Sequence, residues 1–313
     1  MIDIEKRLAD LEARVTALES AKSAPVKQVT SPIVVSPPAL VAQSDFEAIK
    51  ELVMAESWPA AVDPTLICNV TSEQDKEDRA EGILDLIIDV HLENLSFLDF
   101  GCGEGHVVKK SIKQKPKYAV GYDIVESPRW GTWEKQDNML FSTNWDDVVK
   151  HAPYNVVLMY DVLDHIEGDT SKVIEALRKV KTLMAPNAKL FVRCHPWCSR
   201  HASHMYHELN KAYVHLVLTP EELETMGFKT KMFNRNVIHP MTTYGDWFRM
   251  AGLRVSKREN VTKENVEKFF SQVPMIANRI KSHWKTSPEK ELRDGRRFPT
   301  VQMEMQFIDY VLN

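Results

Sequence analysis

The residues with the most chemistry to offer lie in one short run, Asp99-Phe100-Gly101-Cys102-Gly103-Glu104-Gly105-His106, which follows the apolar Phe97-Leu98. Alternating glycines let a backbone approach a ligand closely and take turn conformations that a Cβ forbids. About twenty residues further on, a second apolar run ends in Gly121-Tyr122-Asp123, where a carboxylate can accept the hydroxyl hydrogens of a ribose. The Gly-x-Gly-x-Gly spacing differs from the Gly-x-Gly-x-x-Gly that seats a pyrophosphate on a helix N-terminus. A nucleotide-binding dehydrogenase is the rival reading of this segment, and a helix-capping role is the rival for Asp123.

These residues need a scaffold of alternating strands and helices. Ser96 to Phe100, Tyr118 to Ile124, Met139 to Ser142, Tyr154 to Tyr160 and Lys189 to Cys194 read as strands. Val107 to Lys113 and Ser171 to Met184 read as helices between them, and the rhythm predicts a parallel sheet covered on both faces. Upstream, Ser44 to Glu56 has a helical stripe, and Thr71-Ser72-Glu73-Gln74 reads as the capping box of a second helix packed through Ile83, Leu84, Ile87 and Ile88. Downstream, Tyr244 to Ala251 is a helix leading into a strand at Leu253 to Arg258, and Val301 to Leu312 is a last edge or hairpin strand. Two stretches, about 195–240 and 260–300, interrupt the rhythm and are expected to serve the active site, the first as a folded lid whose Thr219-Pro220-Glu221-Glu222 starts a capped helix.

Together with Asp99, the glycine run resembles the first motif of class I, Rossmann-like S-adenosylmethionine-dependent methyltransferases. The resemblance implies a doubly wound, mostly parallel seven-stranded sheet with an antiparallel last strand, and S-adenosyl-L-methionine as cofactor. It implies that Gly101, Cys102, Gly103 and Gly105 line the methionine part of the cofactor, that Asp99 fixes the loop, and that Asp123, with Ile124 beside it, holds the ribose. Thr143-Asn144-Trp145 falls where the family contacts adenine, with Asn144 standing in for the usual Asp. Tyr160-Asp161-Val162-Leu163-Asp164-His165-Ile166 is similar to the Val-Leu-Glu-His-hydrophobic stretch of small-molecule methyltransferases, with Asp164 replacing Glu.

Methyl transfer from a sulfonium needs an aligned nucleophile and, for an alcohol, a proton acceptor. Ligands of open α/β sheets bind beyond the carboxyl ends of the strands, so the catalytic candidates are Asp161 and His165 after the fourth strand and Arg193 and His195 after the fifth, with Trp197 nearby. His195 is the first choice for a general base because histidine titrates near neutral pH; a positioning or packing role beside Pro196 is the other reading. The segment from Cys194 to His207 is rich in cysteine and histidine, yet its spacings match no standard metal knuckle, and no metal is assigned to it. His201, His204 and His207 would share a face if that loop were helical.

The remaining features concern assembly and setting. Met1, Ile4, Leu8, Leu11, Val15 and Leu18 form a heptad seam, and two Arg-hydrophobic-x-x-hydrophobic-Glu patterns resemble those of short trimeric coiled coils. Residues 1–20 are therefore expected to form an oligomerising helix that assembles a homotrimer, an amphipathic surface helix being the other reading, and 21–43 a Pro, Ser and Val-rich linker to a methyltransferase domain over 44–313. A net charge of −4 asks for no nucleic acid, no apolar run is long enough to span a membrane, and the four cysteines make no disulfide framework, so a cytoplasmic location is expected. The Asp/Asn-Pro-Pro-aromatic and Pro-Cys motifs of base-modifying enzymes are missing, and Arg193 departs from the lysine of ribose 2′-O enzymes. The favoured function is methyl transfer to an oxygen, or a nitrogen, of a small or carbohydrate-like acceptor. Two alternatives stay open: a structural or adaptor part of a larger assembly, such as a phage particle, displaying the domain on a trimeric stalk, and a nucleic-acid methyltransferase.

Overall fold

A computed structural model of the chain describes residues 43–62, 72–166, 169–195, 199–229, 241–262, 279 and 305–313. All of these belong to one compact unit, Val41–Asn313. The expected coiled coil and nearly all of the linker lie outside the described residues, as do Pro196, Trp197 and Cys198.

Chain order begins with α1 (Gln43–Met54) and α2 (Glu73–Gly82), the latter continuing through a π-helical turn at Ile83–Ile87. Then come β1 (Ser96–Phe100), α3 (His106–Ser111), β2 (Tyr118–Tyr122), β3 (Met139–Ser142), α4 (Trp145–Lys150), β4 (Tyr154–Tyr160), α5 (Thr170–Thr182) and β5 (Met184–Cys194). The chain continues with α6 (Val214–Val217), α7 (Pro220–Thr225), α8 (Met241–Met250), β6 (Val255–Thr262) and β7 (Met305–Leu312). The strands join in one seven-stranded sheet of order β3-β2-β1-β4-β5-β7-β6. β1 to β5 are parallel, and β7 runs antiparallel to both β5 and β6.

Burial explains why these runs became sheet. Phe97, Leu98, Val156 to Met159 and Leu190 to Val192 are all at most 1% exposed, as expected of parallel strands covered on both faces. Leu98, Val157, Met159 and Val192 point to a core shared with α5 and α8, whereas Phe97, Val156, Leu158 and Phe191 pack with Val108 of α3 and the π turn. Each such side chain contributes roughly 1.5–3 kcal/mol by leaving water.

Two expectations change. The last strand is not at an edge: Ile308, Tyr310 and Leu312 enter one core and Val311 packs on the other, so β7 is covered on both faces and β6 takes the edge. The cap of α2 is shifted by one residue, with Ser72 Oγ accepting from Asp75 N at 3.1 Å and Asp75 Oδ2 accepting from Ser72 N at 3.0 Å; Asp at the third helical position serves here where Gln74 had been expected.

The first inserted stretch has its own core. Met205, Leu209, Ala212, Val214 and Leu216 to Leu218 pack on Ile49 and Val53 of α1 and on Trp58. Trp58 Nε1 donates to Ala212 O at 2.9 Å, Arg200 Nε to Ala60 O at 2.6 Å, and Asn210 exchanges two 2.9 Å bonds with Val62. Residues 199–229 thus form a built cap fastened to the segment before the sheet. Its α7 starts with the expected box, Thr219 N donating to Glu222 Oε2 at 2.8 Å, while residues 201–207 are turns instead of a helix. Arg279 reaches this cap from the second inserted stretch, donating to Val217 O at 3.0 Å and to Glu222.

Candidate active site

The strand order reverses between β1 and β4, and in sheets of this kind the crevice beyond the carboxyl ends at that point is where ligands bind. Asp99 lies in register with Leu158, so the turn after β1 and the tip of β4 emerge side by side. Gly101 has φ +84°, and a Cβ there would lie 2.4 Å from Val162 Cγ2; only glycine lets the two tips approach this closely. Gly103, at φ +52°, has nothing within 4 Å of where a Cβ would be, so its bare face opens outward. Gly105 caps α3.

The turn is held from two sides. Gly101 N and Cys102 N donate to Tyr122 O at 2.7 and 3.1 Å, and Gly103 N donates to Asp123 Oδ2 at 2.9 Å. The loop after β2, unassigned from sequence, folds back over the turn: Trp130 Nε1 donates to Gly103 O at 2.8 Å and Trp133 Nε1 to Glu104 O at 3.0 Å. Trp130 stacks on Phe141 with centroids 5.5 Å apart.

A cavity of about 340 Å³ opens between this turn and α2, lined by Lys76, Arg79, Ala80 and Ile83 of the α2 region, Asp99 to Glu104 of the turn except Phe100, and Leu158 and Tyr160 of β4, with His106 and Val107 at its base. Its size falls at the lower end of small-molecule sites. Asp99 is 3% exposed, and burial, with the charge of Asp123 added, pushes its carboxyl up to about 7. Two cations, an acid, apolar walls and a bare backbone turn match the carboxylate, amine, carbon chain and close approach that S-adenosylmethionine requires. Polar contacts seat α2 over the turn: Lys76 Nζ bonds Glu104 at 2.7 Å, and Glu73 pairs with His106 at 2.9 Å and with Arg129.

Of the residues expected to bind cofactor, Asp99, Gly101, Cys102, Gly103 and Tyr160 line this cavity, whereas Gly105, Asp123, Ile124, Asn144 and Trp145 are not among its lining residues. Asp123 still touches the turn through Gly103, and Ile124 beside it is 82% exposed. Asn144 Oδ1 is occupied as the N-cap of α4, accepting from Asp146 N at 3.0 Å. The Trp145 ring packs edge-on against Phe100 and Tyr122.

A second group of polar residues adjoins the cavity. Asp161, at φ +53°, stands 3.6 Å from Arg79 and 3.6 Å from His195 Nε2. Burial pushes its carboxyl up to about 6, against the pull of Arg79 and Arg193. His195 is 6% exposed, and Tyr244 donates to its carbonyl at 3.0 Å. Its ring meets His201 and His204 edge-on at 4.6 and 5.5 Å, and His165 stacks on His204 at 5.1 Å. Asp164 is fully buried beneath them, with its Oδ2 3.9 Å from His204 Nε2 and 4.0 Å from His165 Nε2. Arg193 is spoken for elsewhere: Nε and Nη2 each donate to Asp309 at 2.6 Å and Nη1 to Tyr160 at 3.3 Å. It orients Tyr160 and stitches β5 to β7 instead of facing a substrate.

Sequence reasoning missed Lys76, Arg79 and Asp309. The signals existed: cations three apart on an otherwise acidic helix, and an acid inside the apolar Phe307-Ile308-Asp309-Tyr310-Val311, which must find a buried partner.

Comparison with known proteins adds family membership. Residues 73–256 match the family described as a methyltransferase domain. No curated protein matches the sequence. Solved structures with a similar course include an S-adenosylmethionine-dependent methyltransferase from Mesorhizobium loti, 12% identical, covering 74% of this chain and 97% of that one at a TM-score of 0.45. Another, from Clostridium acetobutylicum, is 10% identical and covers 76% and 92% at 0.44. Magnesium protoporphyrin IX methyltransferase from Synechocystis, with S-adenosylhomocysteine bound, is 12% identical and covers 86% and 94% at 0.44. At such distances these likenesses say nothing about an acceptor. The family match runs from the first residue of α2 through the glycine turn and into β6, more than half of the sequence, and the chain therefore belongs to the methyltransferase domain family.

Proposed function

We propose that this enzyme methylates an oxygen of a small or carbohydrate-like acceptor held between the tips of β4 and β5 and the 199–229 cap. The observation that carries the reading is the position of Asp161, which joins the cofactor cavity through Arg79 to the histidine group through His195, both at 3.6 Å. A buried carboxylate poised at about 6 beside an imidazole is equipped to take a hydroxyl proton near neutral pH.

The residues we assign to the cofactor are Asp99, the backbone of Gly101 to Gly103, Asp123 with Ile124, and Tyr160, with Lys76 and Arg79 facing its carboxylate. Asn144 and Trp145 are left out, because a helix cap and an aromatic cluster already use them. Bound there, the cofactor supplies an electrophilic methyl carbon whose sulfur leaves as a neutral thioether, so no acid is needed. Asp161, with His195 against it, receives the proton of the acceptor; Arg193 acts through Tyr160 as a positioning residue; and His165, 55% exposed at the rim, contacts the acceptor. The cap and α1 exclude water from the transfer.

Calorimetry with S-adenosylhomocysteine tests the cofactor half, with Gly103→Val and Asp123→Ala each expected to weaken binding by about 10-fold or more. Transfer of a labelled methyl group to a panel of polyols, sugars and phenols tests the other half. Asp161→Asn should lower kcat by about 10²–10⁴ while leaving cofactor affinity in place; unchanged turnover would refute the proton-acceptor role. We further propose a homotrimer through residues 1–20 on the strength of the heptad seam, to be checked by light scattering before and after removal of 1–42. Strong salt dependence of binding to RNA or DNA would instead favour a nucleic-acid acceptor.

A further inference from the structure

Asp164 is hard to explain as a packing residue. It is wholly buried, yet neither carboxylate oxygen accepts a hydrogen bond from another of the described residues. An unpaired carboxyl in such a place costs several kcal/mol in principle, and it has been set facing imidazoles instead of donors that would neutralise it. One oxygen of Asp164, one ring nitrogen of His195 and one of His204 all lie within 4.8 Å of one another. The three come from separate parts of the chain: the tip of β4, the end of β5, and the cap, where His204 is held at φ +53°.

We propose that Asp164, His195 and His204 bind a divalent transition-metal ion. Two imidazole nitrogens and one carboxylate oxygen suit Zn²⁺ and its neighbours and not Mg²⁺ or Ca²⁺, which favour all-oxygen shells. Metal–ligand bonds of about 2.0–2.2 Å require the three atoms to close by about 1 Å or less. Three protein ligands leave coordination positions open, as in catalytic sites.

The ion's task rests on the methyl-transfer reading above. An acceptor hydroxyl held at an open position loses its proton more readily; Asp161, beside His195, receives that proton. The oxygen lone pair then forms the bond to the methyl carbon as the sulfur–carbon bond breaks. With His195 engaged by metal, Asp161 alone is the proton acceptor. The ion also ties the cap to the sheet.

The test is metal binding itself, measured without cofactor. The full chain, stripped with chelator, is titrated with Zn²⁺ by calorimetry. One ion per chain is expected, with Asp164→Asn and His204→Gln each weakening binding at least about 10-fold, and with His207→Ala, outside the group, leaving it unchanged. Binding that survives both ligand variants, or falls equally with His207→Ala, overturns the site. Should the variants fold poorly, X-ray absorption of Zn²⁺-loaded wild type decides: two imidazoles support the assignment, and a shell of sulfur or of oxygen alone refutes it. Zinc binding without affinity for S-adenosylhomocysteine would keep the site and remove its role in methyl transfer.

Discussion

Gly101 couples two demands at one atom. Its φ of +84° is unfavourable for any side chain, and a Cβ would strike Val162 at 2.4 Å. Gly101→Ala should therefore separate the β1 and β4 tips, costing about 1–3 kcal/mol in stability and weakening S-adenosylhomocysteine by more than that strain alone accounts for; thermal melts and calorimetry on the same sample measure both. Asp164 makes a prediction of opposite character. Its carboxyl, raised by burial and then by the charge of Asp161 to about 8 from an ordinary 3.8, holds a proton in the folded state that the unfolded chain has released. Stability of the metal-stripped protein should thus fall as pH rises from about 4 through about 8, and level off above that. The groups facing it are His165, His195, His204, Cys194 and Asp161, and Asp161 and Asp99 act in the same direction with smaller shifts. Asp164→Asn should flatten the decline by roughly 1–3 kcal/mol, and denaturant melts across the pH range would detect a slope left unchanged. At this scale the sequence was legible where contacts are local. Asp99, the three glycines and Asp123 announce themselves by spacing along the chain. Arg79 with Asp161, and Arg193 with Asp309, could not be paired in advance, because their separation in sequence carries no distance information until the sheet order is known.

Elements add a different set of consequences. α2 offers the sheet little beyond Ala80 and is seated over the glycine turn through Glu73, Lys76, Glu77 and Glu81 to partners on and around α3. Partly exposed ion pairs such as these are weakened by salt, so cofactor affinity should drop by about 2- to 10-fold between low salt and 1 M, where the screening length is about 3 Å; a flat titration would show that α2 is held some other way. β5 and β7 are pinned by the two 2.6 Å bonds from Arg193 to Asp309, both about 15% exposed. Arg193→Lys cannot reproduce that fork, and should cost about 2–3 kcal/mol in a denaturant melt while lowering kcat through Tyr160. Periodicity had located most strands to within a residue or two, since apolar runs of this kind have few alternatives. It did not reveal that β7 lies inside the sheet. Alternation reports which face a residue takes, and the neighbour of a strand is decided elsewhere, here by Val311 filling the face opposite Tyr310.

For the molecule as a whole, the cap and α1 form a unit built from residues far apart in sequence. Trp58, 6% exposed, is its keystone through Met205, Leu209 and the bond to Ala212 O. Trp58→Ala should cost about 3–5 kcal/mol locally, and limited proteolysis should then cut within 199–229 while the sheet stays intact; uniform loss of the whole fold would show cap and sheet to be one cooperative body. The insertion after β5 was visible in the sequence as a break in rhythm, but its attachment to α1 was not, because the stripe Phe46, Ile49 and Val53 fits any apolar partner.

The place of β7 also bears on how the chain is made. Its register pairs Leu190 with Leu312 and Val255 with the same Leu312, so β5 and β6 both leave the ribosome well before the strand that belongs between them. Until it arrives, each presents an open row of amides and carbonyls to any passing chain. Synthesis of this enzyme therefore has a vulnerable interval between the emergence of β6 and that of β7, during which a chaperone's protection matters more than the eventual stability of the fold.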